Sequence, residues 1–248
     1  MAQVARRALR LKPVSPEMLK LAGLGSILID LIIVGLLLGV AVARWAPPED
    51  LPWTPLRLSQ PVGLATGVKF ALAADDPRQC RAILSDGGVR FAEEPDRTAG
   101  TCTTRNTVRL QGQTLSPVAP VMTCPEALAY AFWTRHAVQP AARAELGEPI
   151  ARVEHYGTYA CRNMYGRATG MRSQHAYANA LDVAAFRTVS GRRISVLKDF
   201  HGEDAEGRFL RRVRDGACPW FRAVLSPDYN AAHRDHLHLD RGRFGACR

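Results

Sequence analysis

Residues 230–240 read Asn-Ala-Ala-His-Arg-Asp-His-Leu-His-Leu-Asp, and the fold we expect is built around this stretch. It places His233, His236 and His238 within six positions. If residues 236–239 are extended, successive side chains point to opposite faces, so His236 and His238 share one face and the two leucines share the other. We therefore predict a β-strand that buries its leucines in a core and directs two imidazoles to one point.

A second stretch, residues 173–182, reads Ser-Gln-His-Ala-Tyr-Ala-Asn-Ala-Leu-Asp. His175 and Asp182 lie seven positions apart, and Asp182 falls in a segment with the composition of an apolar strand. A histidine before a turn and an aspartate on the strand after it can converge on one ion. Histidine is the commonest metal ligand, and a catalytic zinc usually has three protein ligands and one open position. The two stretches together predict a metal site.

The pattern Ser-x-His-x-x-x-x-Ala-x-Asp followed by His-x-x-His-x-His resembles the LAS group of zinc peptidases, which includes D-Ala-D-Ala carboxypeptidases and murein endopeptidases. Two further stretches, Tyr-Ala-Cys-Arg at residues 159–162 and Cys-Pro-Trp-Phe at residues 218–221, extend the similarity. With them, the chain more closely resembles the bacterial extensin-like C-terminal family. This resemblance covers roughly residues 75–248.

Carried over by position, the resemblance implies that His175, Asp182 and His238 are the zinc ligands. One position departs from the LAS pattern, because Ala178 stands where that pattern often has glycine. The turn between the first two ligands is therefore expected to be tight.

The resemblance leaves His233, Asp235 and His236 as acid–base groups or as groups that orient the ligands. His236 is our first choice for general base, with Asp235 and His233 orienting it or sharing its proton. Many zinc peptidases use a glutamate in this role, and residues 230–240 contain none. Arg162 is expected to bind a substrate carboxylate or an oxyanion, and the alternative for it is a structural salt bridge.

The chain has 248 residues, an apolar fraction of 47% and a formal net charge of +10. This size and composition suit one globular domain with additional segments. No run of five or six basic residues and no aromatic RNA-binding motif occurs, so we expect no nucleic-acid partner. The basic surface suits an anionic envelope polymer or anionic lipid.

The number of cysteines is even, none forms a Cys-x-x-Cys pair, and all lie in the last 170 residues: Cys80, Cys102, Cys124, Cys161, Cys218 and Cys247. This pattern predicts three disulfides in an oxidising compartment rather than a zinc ribbon. The alternative is a set of buried free thiols. Six cysteines allow 15 connectivities, and the sequence does not choose among them.

The N-terminal region has the features of a membrane anchor. Residues 1–20 are basic, and the almost wholly apolar residues 21–43 would form a helix about 35 Å long, enough to cross a bilayer core. We predict a single-pass inner-membrane anchor at residues 21–44, with residues 1–20 in the cytoplasm and the C-terminal domain in the periplasm. A cleaved signal peptide is the alternative, since Ala41-Val42-Ala43 resembles a cleavage site, but the length of the apolar run favours an anchor.

Residues 45–70 are rich in proline, which predicts an extended spacer that holds a domain of residues 71–248 off the membrane. Within that domain, Thr123-Cys124-Pro125-Glu126 has the pattern of a helix-starting capping box. Residues 203–215 predict an amphipathic helix, and residues 181–197 predict a β-hairpin. The expected fold is α+β: an antiparallel sheet that carries the metal ligands, with helices on one side, preceded by a single transmembrane helix.

These features predict a membrane-anchored, periplasmic zinc metallopeptidase that acts as a carboxypeptidase or endopeptidase on peptidoglycan stems or cross-links. Its expected cofactor is Zn²⁺, and its expected partners are peptidoglycan peptides and the inner membrane. The alternative is a non-catalytic, cell-wall-binding or structural domain that retains a metal site. The oligomeric state stays open.

Overall fold

The computed structural model describes residues 16–112, 114–117 and 119–248. Most of the predicted cytoplasmic tail, residues 1–15, therefore lies outside the described residues. Within the described ranges the α-helices are Pro16–Trp45 (α1), Thr66–Asp75 (α2), Pro77–Asp86 (α3), Cys124–Trp133 (α4), Gln139–Leu146 (α5), Val196–Asp199 (α6) and Ala205–Asp215 (α7). A five-residue π-helical segment joins α4 to α5. The amphipathic helix predicted at residues 203–215 is confirmed as α7.

The strands in the same ranges are Phe91–Glu94 (β1), Arg97–Ala99 (β2), Cys102–Thr104 (β3), Thr107–Leu110 (β4), Leu115–Ser116 (β5), Val121–Thr123 (β6), Ile150–Gly157 (β7), Ala180–Thr188 (β8), Arg193–Ser195 (β9), Ala223–Leu225 (β10), Leu237–Asp240 (β11) and Ala246–Cys247 (β12). The largest sheet has the order β12-β10-β11-β8-β7-β5, with β9 also paired to β8. Smaller sheets have the order β1-β4-β6 and the pair β2-β3. The predicted hairpin is confirmed by the antiparallel pairing of β8 with β9.

The fold is α+β with antiparallel sheets, as predicted, but the largest sheet is mixed. Its central pairs, β7–β8, β8–β11 and β10–β11, are antiparallel. At its two margins, β5 pairs with β7 and β12 pairs with β10 in parallel. Each marginal strand has only two residues, and the long connections from β5 to β7 and from β10 to β12 permit a parallel approach.

Helices pack against one face of the largest sheet. Leu181, Leu237 and Leu239 belong to the same buried hydrophobic cluster as Trp133 of α4 and Phe209 of α7. Because side chains alternate along β8 and β11, the residues between these leucines point away from the helices. The alternation predicted for residues 236–239 is thus present, with the leucines on the helix-covered face.

The start of α4 is fixed to the turn that precedes β8. The hydroxyl of Thr123 accepts a hydrogen bond from the N–H of Glu126 at 3.3 Å, which is one half of a capping box. The other half is not formed: both carboxylate oxygens of Glu126 are buried and accept no hydrogen bond. The backbone N–H of Thr123 instead donates to the carbonyl of Ala178 at 2.8 Å, so it has no need of the glutamate.

The prediction of three disulfides is confirmed, and no described cysteine is free. The pairs are Cys80–Cys124, Cys102–Cys161 and Cys218–Cys247. The pair Cys102–Cys161 joins the β2–β3 hairpin to the loop that follows β7. This loop therefore has a covalent attachment at the residue immediately before Arg162.

One helix in the described part of the chain, α1, is long and apolar enough to cross a membrane. Its stretch Ile27–Trp45 has a mean hydropathy of 2.5, and none of it is buried against the rest of the protein. This helix agrees with the prediction of a single apolar helix before the domain.

Residues 45–70 differ from the predicted extended spacer. Leu56 and Leu58 are buried in the main hydrophobic cluster, and residues 66–70 already form the first part of α2. The carbonyl of Leu58 lies 3.1 Å from Nε2 of His136. The leucines between the prolines explain the difference, because they gain more from burial than the segment would gain from remaining extended in water.

Candidate metal centre

Two neighbouring strands and the turn before one of them bring three side chains together. His238 on β11 lies directly opposite Asp182 on β8 in the antiparallel register. His175 lies in the 3-10 turn Gln174–Tyr177, which leads into β8 and whose N-terminus is capped by the Ser173 side chain. Because Asp182 and His238 lie between leucines along their strands, both side chains point away from the helix-covered core.

The candidate ligand atoms of these three residues converge. Nδ1 of His238 lies 2.8 Å from one oxygen of Asp182, and Nε2 of His175 lies 3.1 Å from the other. The two imidazole nitrogens are 3.3 Å apart. The two contacts to Asp182 use different oxygens of its carboxylate, and a set with one ligand atom from each residue lies within 4.8 Å. Ligand atoms about 2.0–2.2 Å from a tetrahedral zinc are about 3.3 Å from one another, so these side chains could hold zinc after a small closing movement. Among the described side chains, this is the group of His, Cys, Asp and Glu with that convergence.

Each histidine of the cluster has a hydrogen-bond acceptor for its outer nitrogen. Nδ1 of His175 lies 3.3 Å from the carbonyl oxygen of Thr158. Nε2 of His238 lies 3.0 Å from the Asp240 carboxylate, whose second oxygen accepts the N–H of Gly242 at 2.7 Å. Metal-binding histidines usually donate their other ring N–H to such groups, which fixes the tautomer and the ring orientation.

The turn between His175 and Asp182 is tight, as the sequence predicts. Ala178 has a left-handed backbone conformation, with φ 54° and ψ 32°, which costs a non-glycine residue roughly 1–2 kcal/mol. Asn179 stabilises the turn: its side-chain oxygen accepts the Thr123 hydroxyl at 2.7 Å and its amide donates to Gln174 at 2.9 Å. These bonds connect the turn to the start of α4.

Burial and mutual hydrogen bonds set the charge state of the cluster. Burial alone would raise the pKa of Asp182, but hydrogen bonds from His175 and His238 lower it well below its usual range. Burial alone would lower the pKa of His238, but hydrogen bonds to Asp182 and Asp240 raise it to about 9. These opposite shifts favour a carboxylate at Asp182 beside a protonated imidazole at His238.

The two other histidines of the stretch lie beside the cluster. Nδ1 of His236 is 2.9 Å from the Asp235 carboxylate, and its Nε2 is 3.6 Å from Asp182. His233 is bonded to the Asn230 side chain at 2.8 Å. Burial and the positive charges of the neighbouring histidines lower the pKa of His233 to about 4. His236 thus has a carboxylate on one side and the cluster on the other.

The cluster opens into a cavity of about 380 Å³, and Arg162 lines this cavity. Arg172 and Arg243 line it too, and they also line an adjoining cavity of about 860 Å³ together with Arg105. None of these four arginines forms an ion pair with a side chain in the described ranges. The salt bridge considered as the alternative for Arg162 is therefore not present among the described residues.

Sequence reasoning missed three groups that contact the predicted site residues. Asp240 could have been found from the sequence, because it lies two positions after His238 and therefore on the same strand face. The Thr158 carbonyl could not, because every residue has a backbone carbonyl and no sequence pattern distinguishes this one. Tyr156 of β7 lies edge-on to His236 with ring centres 5.9 Å apart, and burial followed by the charge of Asp235 raises the pKa of its phenol.

Comparison with known proteins gives one match. A family model described as "Extensin-like protein C-terminus" matches residues 78–248. This range includes the cluster, the cavity above it and all three disulfides. No curated protein and no solved structure matches the chain.

Proposed function

The chain belongs to the extensin-like protein C-terminus family, and on this premise we propose a function for its metal centre. We propose that the protein is a membrane-anchored, periplasmic zinc-dependent peptidase that hydrolyses peptide bonds in peptidoglycan stems or cross-links. The proposal rests on the convergence of His175, Asp182 and His238, whose candidate ligand atoms lie within 4.8 Å of one another. The proposed similarity to LAS-type peptidases rests on the same residues.

His175 and His238 would hold zinc through one ring nitrogen each, and Asp182 would hold it through its carboxylate. Zinc at an open three-ligand site polarises a substrate carbonyl and acidifies water. The outer acceptors, the Thr158 carbonyl and the Asp240 carboxylate, keep the two rings in the required tautomers. The chain itself thus provides the ligands and fixes their orientation.

His236 is the residue best placed to move a proton. Its Nε2 faces the cluster, while its Nδ1 is positioned to donate to Asp235. A neutral imidazole in this tautomer accepts a proton from the attacking water at Nε2, and the Asp235 carboxylate stabilises the resulting positive charge. The same Nε2 then gives the proton to the leaving amine. His233 packs beside His236, with ring centres 5.3 Å apart.

The four arginines without ion pairs indicate an anionic substrate. Arg162, Arg172 and Arg243 line the cavity above the cluster, and Arg105 extends the positive charge into the adjoining cavity. Arginine binds carboxylates through two parallel hydrogen bonds, and peptidoglycan stem peptides carry free carboxylates. We propose that Arg162 binds the carboxylate nearest the scissile bond and that the other arginines bind more distant ones.

The proposed location rests on α1 and on the disulfides. A helix with the length and hydropathy of α1 can anchor the chain in the inner membrane. Three disulfides favour an oxidising compartment, and we propose that this compartment is the periplasm. The basic residues before the apolar run agree with a cytoplasmic N-terminus.

Digestion of purified muropeptides by the zinc-loaded full chain tests the proposed activity. We expect release of D-Ala or cleavage of cross-links, detected by mass spectrometry, and loss of this activity in His238→Ala. Intact muropeptides together with stoichiometric zinc would instead indicate a non-catalytic wall-binding domain.

A further inference from the structure

The helix α2 exposes apolar side chains on its outer face and buries a lysine among the apolar residues of its inner face. Lys69 is only 5% exposed, whereas Val68 and Leu72 are 59% and 64% exposed. Phe70 packs inward with Lys69, so the helix is apolar on both faces. A helix that is apolar all round is normally buried in a core or in a membrane. Nothing in the described chain covers the outer face of α2.

Hydrogen bonds to the segment after α1 explain why Lys69 points inward. Its ammonium group donates to the carbonyl of Pro48 at 2.9 Å and to the hydroxyl of Thr54 at 3.1 Å. The N–H of Ala65 donates to the carbonyl of Glu49 at 3.2 Å. The beginning of α2 is therefore fixed to residues 48–54. This segment follows the last residue of α1, Trp45, after only two intervening residues.

The exposed apolar side chains near α2 are concentrated in residues 53–72. They are Trp53, Val62, Leu64, Val68 and Leu72, of which Leu64 is 91% exposed. Leu64, Val68 and Leu72 are spaced by four, so Val68 and Leu72 share one helix face and Leu64 lies one turn before them. Single exposed apolar residues are normal on a protein surface, whereas five within a stretch of twenty residues favour an interaction site.

We propose that this group, which we call the apolar face, rests on the lipid surface of the membrane that α1 spans. The inference rests on the proposed anchor and goes beyond it. From Trp45 to Pro48 there are three Cα–Cα steps, which span at most about 11 Å, against roughly 5–8 Å for the interfacial layer of each leaflet. The segment bonded to α2 therefore begins in that layer or next to it. Tryptophan is enriched in this layer, so Trp45 and Trp53 suit it. Arg44 and Arg57 can pair with anionic headgroups.

The apolar face would hold the domain against the membrane instead of away from it. Pro48 and Thr54 are hydrogen-bonded to Lys69 of α2, and Leu56 and Leu58 are buried in the domain core, so residues 48–58 cannot act as a loose linker. The metal cavity would then lie at a constant distance from the bilayer.

Lipid quenching of a fluorophore on the full chain tests the proposal. All native cysteines are in disulfides, so a cysteine introduced by Leu72→Cys can be labelled selectively. The labelled protein is placed in phosphatidylcholine–phosphatidylglycerol vesicles that contain doxyl-labelled lipid. We expect the probe at Leu72→Cys to lose most of its emission. A matched control, Leu197→Cys, is 55% exposed on α6 and should keep its emission.

A third probe, Leu36→Cys within α1, separates this proposal from the anchor. Quenching at Leu36→Cys without quenching at Leu72→Cys overturns the membrane contact and leaves the anchor intact. No quenching at either position overturns the anchor. If the emission of the Leu72→Cys probe is not quenched by doxyl lipid but changes with the number of protein molecules per vesicle, a second copy of the chain covers the apolar face. That result also overturns the proposal. With the contact present, adding Val68→Glu should restore the emission of the Leu72→Cys probe.

Discussion

His238 and Asp182 are directly opposed across β11 and β8, and Nδ1 of the imidazole lies 2.8 Å from the carboxylate. The strand pairing that builds the sheet thus also forms the first contact of the candidate centre. His175 completes the group from the turn before β8, so all three residues are fixed by secondary structure. A site on such elements is more precisely ordered than one on loops.

Replacement of His238 and of His236 should separate metal binding from proton transfer. His238→Ala removes a ligand and is expected to lower both zinc content and activity. His236→Ala should retain zinc and lower turnover by about 10²–10⁴-fold, which is typical for loss of a general acid–base group. Zinc content by elemental analysis and turnover on muropeptides measure the two effects. Loss of zinc from His236→Ala to the same extent would place His236 among the ligands.

Asp240 is predicted to act through His238. Asp240→Ala removes the acceptor of the His238 Nε2 proton, so zinc affinity is expected to fall by about 10–100-fold. Asp240→Asn keeps an acceptor oxygen and should retain more affinity. Competition with a chromogenic chelator gives the affinities. Asp235→Asn is the matched control, since Asp235 bonds to His236, and an equal loss of zinc affinity there would refute the role assigned to Asp240.

The cavity arginines are predicted to bind substrate rather than to stabilise the fold. Arg172→Gln and Arg243→Gln should raise KM for muropeptides by about tenfold each, because each removes a charge-assisted hydrogen bond of roughly 1.5–3 kcal/mol. Their thermal midpoints should stay near that of the unmodified protein. Arg152→Gln is the control, since Arg152 is exposed on β7 and lines neither cavity. Equal changes in KM for all three variants would contradict the assignment.

Glu126 should make the stability of the protein fall as pH rises. Burial, and then the charge of Asp240, raise the pKa of this carboxyl well above 4.5. Above pH 4.5 the unfolded chain releases this proton while the folded chain retains it, so the folded state loses stability with increasing pH. Glu126→Gln should remove that loss. Denaturant unfolding at several pH values should show a stability gain for the variant that grows from acid to neutral pH.

Glu145→Gln is a control in which the pH dependence of stability is expected to have the opposite sign. Hydrogen bonds from Arg208 and Arg212 lower the pKa of Glu145, so its contribution is present above the unfolded pKa and is lost as pH falls. This variant should therefore be less stable than the unmodified protein at neutral pH and equal to it in acid. A stability gain of Glu126→Gln that does not vary with pH would contradict the account of Glu126.

The sequence was informative where a pattern is local. The alternation of His236-Leu237-His238-Leu239 indicated both the strand and its buried face, and the even cysteine count indicated three disulfides. The pairing of β8 with β11 joins residues that are 56 positions apart in the sequence. No local pattern in β8 indicates that its neighbour in the sheet is β11. Glu126 shows the same limit: its capping-box spacing is local, but the Thr123 N–H was already bonded to Ala178 from another part of the chain.

The proline-rich residues 45–70 show a second limit. Proline content indicates a stiff, extended segment, yet burial of Leu56 and Leu58 in the domain core determines where it lies. The proline content of a segment indicates its conformation in isolation. Whether its leucines become buried depends on the surface of the domain against which they pack.

The metal centre can be tested by a crystal structure of the zinc-loaded protein, with the ion identified by its anomalous signal. We expect one zinc within about 2.0–2.2 Å of Nε2 of His175, a carboxylate oxygen of Asp182 and Nδ1 of His238. We also expect the His238 Nε2–Asp240 contact to remain in place. Zinc bound through His233 or His236 in place of His238, or no zinc at this cluster, would contradict the proposed centre.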